Sequence, residues 1–86
     1  MIENSFVSRR LEQMPNMGAT LAVAKYRNGV MVGRFLVSNV KLAGEVYTRV
    51  QLDGTPLVMH MVGDIDTHDA ADLAFLEFFP QHSMFS

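Results

Sequence analysis

Two stretches of alternating apolar and polar residues, each centred on a turn dipeptide, organise this chain. Thr20–Arg27 and Val30–Val37 flank Asn28-Gly29, and Glu45–Leu52 and Thr55–Val62 flank Asp53-Gly54. Both dipeptides tolerate the positive φ angles of a type I′ turn, whose twist matches that of the strands it joins. The spacing therefore predicts two β-hairpins with two-residue loops.

Loops of that length dictate a register. In the first hairpin Tyr26 faces Met31, Ala24 faces Gly33 and Ala22 faces Phe35. That surface is apolar, with small residues at its centre that leave room for a helix. The opposite surface carries Leu21, Val23, Lys25, Arg27, Val30, Val32, Arg34 and Leu36. In the second hairpin Val46 faces Met61, Thr48 faces Met59 and Val50 faces Leu57 on the core side. Tyr47 with His60, Arg49 with Val58 and Gln51 with Pro56 take the other side. Strand side chains alternate, so one face is expected to be buried and the other wet. Pro56 cannot donate a ladder hydrogen bond, which predicts an irregular start or an edge position for the last strand. Residues 38–44 leave two readings open: a continued strand that turns at Ala43-Gly44, or a loop.

Helical periodicity marks both ends. Ser5 can cap a short helix in which Val7, Leu11 and Met14 share a face, with Pro15 and Gly18 as its stop. Near the C-terminus Asp66 or Thr67 caps a second helix, acidic Asp69 and Asp72 suit its positive end, and Pro80 closes it. Ala70, Leu73, Leu76 and Phe79 form one stripe, yet Ala71, Phe75 and Phe78 are apolar too. The expected architecture is one α+β domain over residues 1–86. It has a four-stranded antiparallel sheet of two hairpins, a short N-terminal helix, and a C-terminal helix packed on the apolar face.

Composition narrows the function classes. With 49% hydrophobic and 19% charged residues the chain can build a core. It has no cysteine, which removes a disulfide framework, thiolate zinc ligands and a thiol nucleophile. The opening residues lack a basic, then apolar, leader, and no run approaches the ~20 apolar residues that span a bilayer. A cytoplasmic setting without a membrane partner is the expectation. Net charge is −2 but unevenly spread. The first 49 positions hold seven basic and three acidic residues, and the remaining 37 hold six acidic and no basic ones.

Chemistry-bearing motifs are sparse. His60, Asp64, Asp66 and His68 are the residues a small metal-dependent enzyme would use, but they follow neither an EF-hand nor an HExxH spacing. Strand ending and helix capping account for them, so no metal and no cofactor is expected. No serine lies in a nucleophile elbow and no glycine loop suits a phosphate, so no catalytic residue is assigned. Lys25, Arg27 and Arg34, read as sharing one strand face, are the candidate nucleic-acid contacts. Stacking aromatics are missing from that face, and the pI is near 5.8. Nucleic acid ranks behind protein as the partner.

The expected function is a non-enzymatic protein-interaction domain. Inhibitors and adaptors, including phage-type inhibitors of host machinery, are the classes it fits. The candidate surface is the acidic set Asp64, Asp66, Asp69 and Asp72, with Phe78, Met84 and Phe85 of the helix and tail. It would meet a partner with a basic surface, or further copies of this chain.

Overall fold

A computed structural model describes residues 5–82 of the chain. The elements run α1 (Ser5–Glu12), β1 (Leu21–Arg27), β2 (Val30–Leu42), β3 (Glu45–Leu52), β4 (Val58–Val62) and α2 (Thr67–Phe78), with a final 3₁₀ turn at Pro80–His82. The strands form an antiparallel meander in the order β1-β2-β3-β4, so the α+β arrangement is as the sequence predicts. Of the two readings of residues 38–44, strand is the one observed. Asn39 pairs with Thr48 and Leu42 with Glu45, and Ala43-Gly44 turns the chain with φ of 52° and 82°.

The turn at Asn28-Gly29 is the expected two-residue loop, with Arg27 paired to Val30 and φ values of 53° and 77°. Beyond it the register departs from expectation. Tyr26 pairs with Met31 but Lys25 pairs with Gly33, leaving Val32 as an extra residue in β2. This bulge flips every later position of β1 relative to β2. Val23, not Ala22, comes to lie opposite Phe35. Ala22, Ala24, Tyr26 and Met31 are therefore exposed rather than in the core.

The second loop also differs. It holds four residues, Asp53-Gly54-Thr55-Pro56, and Leu52 N donates to Leu57 O across it at 3.0 Å. A two-residue loop would have forced Pro56 into the ladder opposite Gln51; sliding the register by two puts Val58 there instead. Thr55 fastens the longer loop. Its hydroxyl donates to Leu52 O at 2.9 Å and accepts from Leu57 N at 3.0 Å. Because the slip is even, the faces are preserved: Val50 and Thr48 still lie across from core residues, now Met59 and Met61.

The main core lies between the sheet and α2. Val23, Phe35, Val37, Val50, Leu52, Met59 and Met61 are buried beneath Ala70, Ala71 and Ala74 of the helix. The helix's own alanines, rather than an Ala strip on β1, allow its close approach. Phe35 is fully buried and touches three rings. Phe78 stacks on it at 6.3 Å, and Phe75 and Phe79 meet it edge-on at 6.3 and 6.5 Å. A Cβ at Gly33 beside it would lie 2.7 Å from Leu52 Cδ1, so a side chain there would push the end of Leu52 aside. Asp66 is the N-cap of α2 and accepts from the amides of His68 and Asp69. Thr48, fully buried, ties β4 to that helix by donating to Gly63 O and accepting from Ile65 N, both at 2.8 Å.

Helix α1 covers the other side of the sheet. Its Leu11, flanked by Val7 and Met14, packs on Val40, Tyr47 and Leu42. The face expected to be wet thus carries a second, smaller core at one end.

Candidate protein-docking surface

The α1 face divides into a covered half and an open half, and Arg49 marks the boundary. Its Nη1 donates to Asn16 Oδ1 at 2.9 Å, its Nη2 to the carbonyl of Leu11, and its Nε to His60 Nε2 at 3.0 Å. One guanidinium on β3 thereby holds the end of α1, the segment that follows it and β4 together. Ser38 adds a bond from its hydroxyl to Asn16 Oδ1 at 3.0 Å, and Met17 N donates to Asn39 O at 2.8 Å. Burial lowers the pKa of Arg49, and nearby Glu12 opposes that. His60 is almost fully buried and is held neutral. Desolvation, with Arg49 adding to it, depresses its pKa to about 4. Because Nε2 accepts from Arg49, the imidazole proton sits on Nδ1.

Beside this network lies a shallow, solvent-open hollow of about 230 Å³ lined by Glu12, Arg49, Gln51 and Val58. Its lining carboxylate is Glu12, and three N–H groups of Arg49 are already engaged in the network. Past the hollow no described element covers the sheet face. Ala22, Ala24, Tyr26, Met31 and Arg34 are exposed there, and Leu36, Gln51 and Val58 are half-buried. At the hairpin tip the exposure is large: Tyr26 is 64%, Met31 53% and Val30 68% accessible. The Val32 bulge creates this patch, because without it Tyr26 and Met31 would have pointed under α2.

The residues singled out from sequence are scattered. Asp64 accepts from Asn39 Nδ2 at 3.2 Å, Asp66 caps α2, Asp69 is exposed and Asp72 is ion-paired to Lys25. Phe78 is half-buried against Phe35, so the exposed large apolar residues of α2 are Leu73 and Leu76 instead. Met84 and Phe85 lie outside the described residues. Lys25 and Arg34 do not share a face. Lys25 reaches Asp72 beneath α2, whereas Arg34 bonds Asp53 on the opposite side, with its Nε donating at 3.1 Å. Bulge parity separates them, and the basic stripe proposed for nucleic acid is broken. His60, Asp64, Asp66 and His68 are likewise apart in role. Among the described residues no three His, Cys, Asp or Glu side chains gather as a metal ion requires.

Sequence reasoning placed Val30 on the exposed face but missed Tyr26 and Met31 beside it because it assumed an unbroken ladder. It missed Arg49 because its partners Leu11 and Asn16 lie more than thirty positions away. No helix among the described residues is long and apolar enough to cross a membrane. Compared with known protein families, with curated proteins and with solved structures, the chain matches none.

Proposed function

We propose that this chain is a non-enzymatic protein-interaction domain that docks through the β1–β2 hairpin and the open edge beside it. The observation that carries this reading is the exposure of Tyr26, Val30 and Met31 at the hairpin tip. Aromatic and Met side chains left in water cost free energy that a bound partner recovers, and both types are enriched at protein interfaces. The tip is not a core residue set displaced by chance. The main core is already closed by α2, and the second by α1.

The acidic residues near α2 play a subsidiary part in this reading. Asp64 and Asp69 are exposed and can favour encounter with a basic partner, while Asp66 and Asp72 serve the fold. The test is capture of partners from the native source with the wild-type chain and with a Tyr26→Ser, Met31→Ser variant of equal melting temperature. The variant is expected to lose the captured protein. Equal capture by both, or capture lost only in an α2 variant such as Leu76→Ser, overturns the assignment of the surface.

A further inference from the structure

We infer that the β1 edge pairs with the β1 edge of a second copy, antiparallel and with Ala24 on the two-fold axis. The inference rests on the docking reading above and names the partner. Among the described residues β1 has only β2 as a hydrogen-bonded neighbour, so its other side is an open edge. The extra residue Val32 belongs to β2, which leaves the alternation of β1 unbroken. Arg27 and Val30 flank a two-residue loop and exchange their hydrogen bonds inward. Alternate residues Tyr26, Ala24 and Ala22 therefore present their amide groups to the edge.

That edge lacks two of the usual protections. It contains no proline and no bulged residue of its own, and the charge of its inward-turned Lys25 is matched by Asp72. The opposite edge, β4, is shorter: five residues, closed off between the Pro56 loop and Gly63, whose N–H is bonded to Val46 O at 2.8 Å.

The sequence of β1 is complementary to itself in one register. With Ala24 opposite its own copy, Tyr26 lies across from Ala22, and each exposed ring covers the space left by a small side chain. On the other face Lys25 lies across from Val23 and Arg27 from Leu21. No like charges are directly opposed, and Leu21, 54% accessible in the single chain, gains the aliphatic stem of Arg27 as cover. A shift of one residue pair in either direction, to centre on Ala22 or Tyr26, removes the Tyr–Ala match. A dimer built on one strand pair is smaller than a standard stable interface, so it is weak, with half-dissociation in the micromolar range or above.

The chain has no native cysteine, which permits a clean test. Directly opposed residues in an antiparallel pair have Cα atoms about 4.5–5.5 Å apart, within disulfide range. Under mild oxidation Ala24→Cys is expected to form a covalent dimer. Ala22→Cys would sit about 13 Å from its copy, and should lag at least tenfold, as should the surface control Leu73→Cys. In sedimentation, the wild-type chain should shift from monomer to dimer between about 1 and 100 µM, and Ala24→Glu, which sets carboxylates face to face, should raise the midpoint at least tenfold. Near-equal melting temperatures show that the variants fold; if Ala24→Glu does not, the cysteine series decides. A wild-type chain that stays monomeric throughout, or Ala22→Cys crosslinking as fast as Ala24→Cys, overturns the inference. If that occurs while the Tyr26→Ser, Met31→Ser variant still loses a captured protein, the docking reading stands and only the self-pairing falls.

Discussion

The two faces of the sheet are built on different physics. Beneath α2, seven strand residues and three helix alanines form an apolar layer whose centre is a cluster of four phenylalanine rings. Beneath α1, three buried apolar residues are joined by a polar network of Arg49, His60, Asn16 and Ser38. The first face is held by area, which is non-directional and tolerates small shifts. The second is held by directed bonds to a single guanidinium, which fix α1 in one position and fail together if that group is lost. Among the described residues, half of the second face is then left open. A small domain has enough apolar residues to close one face fully, and the remainder covers only one end of the other.

Three substitutions or conditions separate these two modes. The largest effect is expected at Phe35→Ala, which should cost about 3–5 kcal/mol in urea melts through lost transfer energy and the cavity left among the rings. Arg34→Ala on the opposite face removes an exposed ion pair with Asp53 and should cost no more than about 1 kcal/mol. Similar losses in both would erase the distinction between the faces.

Arg49→Met comes next. It keeps the aliphatic stem but leaves the Leu11 carbonyl and His60 without their donor and Asn16 with Ser38 alone, for a loss of about 2 kcal/mol. Hydrogen exchange should quicken in α1 while the amides of β2 opposite Phe35 remain protected. Uniform quickening would mean that the two faces unfold as one unit.

The third effect is a pH dependence. His60 titrates near its ordinary 6.5 in the unfolded chain and at about 4 in the folded one. Between those values the unfolded chain holds a proton that the native one lacks, so stability is full above about pH 6.5 and falls as the pH drops towards 4. The loss from this group is expected to be about 1–2 kcal/mol, since water in the adjacent hollow softens the desolvation. His60→Gln, which keeps an acceptor for Arg49 but does not titrate, should flatten the melting temperature over that range. An unchanged slope would place the responsible group elsewhere.

Much of the architecture was legible from residue order. Asn28-Gly29 and Asp53-Gly54 lie at turns, the Val7–Leu11–Met14 stripe packs inward, and Asp66 caps α2. Which side chains are exposed was less so. Asp72 and Phe78, read as contact residues, are engaged within the fold, and Tyr26 and Met31, read as core, are on the surface. A single bulged residue, Val32, accounts for the last pair.

The division between what is local and what is not follows from the range of the forces. Turn dipeptides, helix caps and strand alternation act over a few positions, so the amino-acid order by itself determined four strands, two helices and which face of β3, and of β2 beyond Val32, meets α2. Even the two-residue slip at Asp53-Gly54 left those faces intact, because side-chain direction repeats every second residue. The tertiary structure alone decided the parity of β1, the side of the sheet that α1 covers, and the meeting of Arg49 with Leu11, Asn16 and His60. Each of these depends on groups brought together by packing across distant positions, where one inserted residue or one helix on the other face reverses the outcome without changing any local preference.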